Sequence, residues 1–230
     1  NAGHSSGGSA GSAMMQRHTL QFFAGLVAVA LLVFFGVRAL GGGYYQLVAF
    51  YILQYVVLAT AWNILGGYGG YVNFGSAGFF AIGAYSTVFF NKFLGIQTLR
   101  LIDLGLFSIS APFIPYLVVP AAVVAGAFFA GLVGLGMGYL TLRLRGVFFA
   151  IATLALAVVA QTVVLNWSFV GGARGAYVIK PSAVAGFGSA TEFVLVAMIV
   201  IAMISIWVAR TIERNKLGVG LLAIRDDEDS

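Results

Sequence analysis

Long, nearly uninterrupted apolar runs constrain this chain more than any other feature. Residues 20–37, 44–65, 116–142, 147–167 and 193–208 form such runs, and a shorter one covers 74–90. A helix rises about 1.5 Å per residue, so roughly 20 apolar residues match the ~30 Å hydrocarbon core of a bilayer. Hydrophobic residues make up 61% of the 230 positions and charged residues only 8%, against about 25% charged in soluble domains. There are too few charges to coat a soluble core, so lipid must cover the outside. Membrane β-strands alternate apolar and polar residues over about ten positions, and these runs are longer and do not alternate. The expected fold is all-α: a polytopic transmembrane helical bundle of about six spans.

Residues 1–13 are mostly Gly, Ser and Ala, a composition that buries too little apolar area to order itself. Residues 1–16 are therefore set aside as a disordered tail or an expression remnant, and 17–216 form the transmembrane domain. The second run carries Gln46, Gln54, Thr60 and Asn63, which lipid penalises unless neighbouring helices satisfy them. A glycine-rich break at 66–71 leads into the third run, which reads as a short span or a broken, partly re-entrant element. Residues 91–115 collect Lys92, Arg100, Asp103 and two prolines, and read as an aqueous loop with room for a surface helix. In the fourth run Gly126, Ala130, Gly134 and Gly138 recur every four residues. That stripe lets another helix approach closely and is a packing face.

Basic residues set the orientation. With the 143–146 turn and the C-terminal end in the cytoplasm, that side holds Arg17, Arg143, Arg145, Arg210, Arg214, Lys216 and Arg225. The other side holds Arg38, Lys92, Arg100, Arg174 and Lys180. The bias favours a cytoplasmic N-terminus. These charges lie in the gaps between spans and make no continuous patch, so nucleic acid is not an expected partner.

Several chemistries are excluded. The chain has no cysteine and only two histidines, His4 and His18, both ahead of the first apolar run, so thiolate and histidine metal sites are not expected. No phosphate-binding loop of the G-x-x-x-x-G-K-[ST] type occurs, so any ATP, with its Mg²⁺, would have to be bound by another subunit, and no cofactor is expected on this one. Before the polar, mixed-charge end at 209–230 the only acids are Asp103 and Glu192, both at span boundaries, which disfavours acid–base catalysis or proton coupling inside the membrane. The chain is not expected to be an enzyme.

The stretch NILGGYGGYVNFGSAGFFAIGAY, residues 63–85, has unusual texture. Glycines there serve close packing and a tight turn, or they break a helix so that backbone groups meet a polar substrate. On the second reading Asn63, Asn73 and Ser76 supply side-chain partners, and Thr153 and Gln161 of the fifth run join them as polar groups in costly positions.

This stretch resembles a signature of the permease subunits of branched-chain amino acid ABC importers, the LivM type, with an N-L-x-x-G-Y-x-G-x-x-x-x-G-x-x-x-F-F-x-I-G-A-Y pattern. LRLRGVFFAIATLALA at 142–157 and LNWSFVGGARG at 165–175 are similar to further family segments in the same order. LLAIRDDEDS at 221–230 looks like the start of the family's cytoplasmic segment that contacts the ATPase. Ser76 stands where the family commonly has histidine, and Asn73 where it commonly has serine.

The resemblance implies a translocation pathway shared with a second homologous permease, two ATP-binding subunits and an extracytoplasmic solute-binding protein, in a bacterial inner membrane. It implies transport of branched-chain amino acids or related small amides such as urea. It also implies that 217–230 begin a coupling segment, with Leu221, Leu222, Ile224, Arg225, Asp226, Asp227 and Glu228 docking the ATPase, and that the chain is truncated relative to the family. Competing functions are an ATP-independent channel or facilitator and a structural subunit of a membrane complex. A solvated charge run is the alternative for the C-terminal end.

Overall fold

The structure is a computed structural model and describes residues 7–103, 114–141, 143–144, 146–176 and 189–228. Among the described residues it is built of helices: α1 (Gly7–Leu40), α2 (Gly43–Asn63), α3 (Ser76–Asp103), α4 (Ile114–Thr141), α5 (Val147–Asn166), α6 (Ala190–Arg214) and α7 (Lys216–Glu228). A wider π-helical turn, Ile64–Tyr68, extends α2, and short 3₁₀ turns at Ser168–Val170 and Gly172–Arg174 follow α5. No strand occurs among these residues.

Among the described residues five stretches are long and apolar enough to cross a bilayer: Thr19–Leu40, Gly43–Tyr68, Val118–Thr141, Val147–Asn166 and Thr191–Arg214. The chain is a multi-pass membrane protein. Large apolar side chains such as Leu32, Leu135 and Phe148 are mostly exposed, which water would penalise but lipid or another subunit would not.

The third run departs from expectation. It is a single continuous helix of 28 residues, and the interruption lies wholly before it, at residues 69–75. The helix also continues through 91–103, read from sequence as aqueous loop. Residues 76–103 contain no proline, so nothing in the backbone forces the helix to end where the charged residues begin. Residues 104–113 lie outside the described residues. At the start, α1 includes 7–16 of the segment read as a tail, and residues 1–6 lie outside the described residues.

The chain divides into two compact units, 1–57 with 191–208 and 58–190 with 209–230. In the first, Ala30, Val33, Phe34 and Val37 of α1 recur at i, i+3, i+4 and i+7, and this stripe packs on Ala49, Leu195 and Ile199. Arg38 donates to the carboxylate of Glu192. Glu192 is buried in the first turn of α6, where the helix dipole favours a negative charge.

In the second unit α4 lies along α3, and α5 packs on both. Small residues make this possible. A Cβ added to Gly78 would come within 2.8 Å of the Ala157 Cα, and one added to Gly126 within 2.9 Å of the Thr87 Cα. Helices in lipid gain their association from such close packing, because lipid tails remove the usual hydrophobic drive.

Candidate functional site

The glycine-rich stretch folds as a break between two helices. α2 widens into the π-helical turn after Asn63, runs without regular structure from 69 to 74, and enters α3 at Ser76. Gly70 takes a left-handed φ of +73°, which a side chain would oppose.

Side chains pin the break in place. Trp62 Nε1 donates to the Asn73 carbonyl at 3.0 Å. The Gly75 amide donates to Asn73 Oδ1 at 2.7 Å, an Asx turn leading into α3. From α5, Thr153 Oγ1 accepts the Phe74 amide at 3.2 Å and donates to the Ala150 carbonyl at 2.9 Å. Tyr71 meets Phe149 edge to face with ring centroids 5.0 Å apart. Thr153 is buried, so its hydroxyl satisfies a backbone amide that water reaches poorly.

The structure therefore brings Asn73 and Thr153 together around Gly75, with Ser76 next in the chain as the first residue of α3. Asn63 sits one turn before the break, with its Oδ1 packed against Gly67, where a Cβ would meet it at 2.1 Å. Gln161 is not part of this cluster: it is exposed, and lies about 12 Å further along α5 at 1.5 Å per residue. Sequence reading overlooked Trp62 and Tyr71, whose aromatic rings flank the glycines. Their signal was position, immediately before and within the break.

From the cluster an apolar path leads along α3. A water-sized gap bordered by Gly75, Gly78 and Thr153 shares Ile82 and Met137 with a larger cleft of about 260 Å³ between α3, α4 and α5. Its walls include Phe129, Val133, Val163 and Trp167, and its polar contributions come from Ser86 and Tyr85. At the far end Phe89 lies against Trp167 and Phe169, and Lys92 donates to the Phe169 carbonyl at 2.9 Å. Such a cleft suits an aliphatic group and holds nothing to stabilise a free ion. No cluster of metal-ligating side chains occurs among the described residues.

In the small-residue stripe, Gly126 faces Thr87, a Cβ added to Gly83 would lie 3.8 Å from the Ala130 Cβ, and one added to Gly134 would lie 3.8 Å from the Phe79 ring. Gly138 has open space where its Cβ would lie, so the face against α3 covers three of the four positions.

The C-terminal segment is helical and rests on the break. A Cβ at Gly69 would lie 3.7 Å from Leu221, and one at Gly70 only 2.6 Å from the Arg225 Cγ. Arg225 Nη1 donates to the Gly67 carbonyl at 3.3 Å. Leu221 and Arg225, four residues apart, thus share the helix face turned to the glycines. Leu217, Val219, Leu222 and Ala223 are exposed. The side chains of Ile224, Asp226, Asp227 and Glu228 lie outside the described residues.

Comparison with known proteins bears on this arrangement. Residues 44–230 match the model of the branched-chain amino acid transport system permease component. The chain belongs to that family. It is 25% identical over 200 residues to the high-affinity branched-chain amino acid transport system permease protein LivM of Salmonella typhimurium, an alignment that covers 76% of this chain. The chain spans 42% of the length of that relative. No solved structure matches significantly. The break, α5 and α7 all lie within the matched region.

Proposed function

We propose that this chain is a permease subunit of an ATP-binding-cassette importer for branched-chain amino acids or related small amides such as urea, working in a bacterial inner membrane. It forms the translocation pathway with a second homologous permease. Two ATP-binding subunits hydrolyse ATP, holding the nucleotide and Mg²⁺, and an extracytoplasmic solute-binding protein delivers the solute. This chain supplies no catalytic group.

One observation carries the reading. Helix α7 follows the last span after a basic boundary, turns Leu221 and Arg225 toward the glycine break, and leaves Val219, Leu222 and Ala223 exposed on its other side. A short helix with apolar side chains on an outer face suits a partner's groove, where apolar anchors supply affinity and rim charges orientation. The cleft along α3 supports the substrate class, since about 260 Å³ of mostly apolar space accommodates a branched aliphatic side chain.

The test is Leu222→Asp in the assembled transporter. A charge placed at an apolar anchor costs ~2 kcal/mol or more, about 30-fold in affinity. Co-purification of the ATP-binding subunits should fall accordingly, and leucine-stimulated ATP hydrolysis should be lost. Full association and hydrolysis in this variant would remove α7 as the docking element.

A further inference from the structure

The contact between α7 and the glycine break is a connection that neither the family match nor the docking role requires. Family resemblance assigns Arg225 to the ATPase side of the segment. The geometry turns it the other way: its guanidinium binds the Gly67 carbonyl inside the π-helical turn, and its aliphatic stem lies where a Cβ at Gly70 would be. Leu221 lies one helical turn earlier on the same face, against Gly69.

We propose that Arg225 is a positioning residue that transmits displacement of α7 to the break between α2 and α3, and so sets the conformation of the pathway's cytoplasmic end. This inference rests on the importer reading above. The break is a suitable receiver. A π-helical turn and an irregular connector move at lower cost than a regular helix, because fewer backbone hydrogen bonds are at stake. The connector is bonded at its other end to Thr153 through the Phe74 amide. A shift at Gly67 thus reaches Asn73 and, through the Phe74 amide, Thr153 over seven residues of chain from 67 to 73, starting at the very end of the second span. Gly70 belongs to the same device, since its left-handed φ and its missing side chain are what seat the arginine stem.

The complete transporter, reconstituted with its ATP-binding subunits, tests this through leucine uptake per ATP hydrolysed. Arg225→Met keeps an apolar stem and removes the donor. It should retain the ATP-binding subunits while uptake per ATP falls about 5-fold or more, the lower end of coupling between linked sites. Arg225→Lys, which keeps a donor of shorter reach, should recover part of that ratio. Gly70→Ala, with Arg225 intact, should lower the ratio as Arg225→Met does. Loss of the ATP-binding subunits from Arg225→Met would overturn the proposal, making Arg225 a docking residue. An unchanged ratio would overturn it too. Failure of Arg225→Met to assemble would also contradict it, since a bond at this exposed position does not hold the fold. If the unaltered chain never associates with ATP-binding subunits, the importer reading fails instead.

Discussion

Replacing Gly126 by alanine probes how closely α4 can approach α3. The new Cβ would lie 2.4 Å from Thr87 Oγ1, 2.8 Å from the Thr87 nitrogen and 2.9 Å from its Cα. Rotating Thr87 cannot relieve this, because two of those atoms are backbone and the hydroxyl is held by the Gly83 carbonyl at 2.9 Å. The helices must separate by about half an ångström, and close-packed interiors pass such strain on to their neighbours. Overpacking of this kind costs ~1–3 kcal/mol. Gly138→Ala is the matched control, because nothing lies within 4 Å of its added Cβ. Both variants gain the same ~0.5–1 kcal/mol of helix propensity, so their difference isolates the packing term. At ~2–4 °C per kcal/mol for a chain of this size, Gly126→Ala should unfold roughly 2–12 °C below Gly138→Ala. Tryptophan fluorescence on heating in detergent measures it. Equal midpoints, or a higher one for Gly126→Ala, would refute the close approach.

Other expectations follow from buried polar groups. Thr153→Val keeps the shape but leaves the Phe74 amide without its partner, costing ~1–3 kcal/mol; amide exchange at Phe74 should accelerate, and unchanged exchange would mean the hydroxyl does not hold the connector. Arg38→Gln strips the cation from buried Glu192 and should destabilise by ~1–3 kcal/mol, while the double variant with Glu192→Gln recovers most of that loss. Additive losses in that pair would contradict a coupled ion pair.

Much of the fold was legible because lipid imposes length and apolarity at once. The runs at 20–37, 44–65, 116–142, 147–167 and 193–208 each coincide with a helix of membrane-crossing length. α3 was harder. Ser86, Thr87, Asn91 and Lys92 dilute its apolarity, and helices, unlike hydropathy, do not stop where charge begins. Glycine spacing located the packing face but not its extent, since what faces Gly138 is decided by the path of α3. At the candidate site, composition singled out Asn73 and Thr153, which tertiary structure joins around Gly75, and Ser76, which adjoins them along the chain. It also singled out Gln161, which tertiary structure leaves apart. Pairing of Arg225 with Gly67 joins residues 158 positions apart, and no local pattern encodes such a contact.

The energy source for transport tests the central claim most directly. Proteoliposomes containing this permease, its second permease, the ATP-binding subunits and the solute-binding protein should accumulate labelled leucine only when ATP is supplied on the face that carries α7. Leu222→Asp should abolish that accumulation. Leucine entry that runs down its gradient at the same rate without ATP, and is indifferent to Leu222→Asp, would make the chain a facilitator and contradict the account.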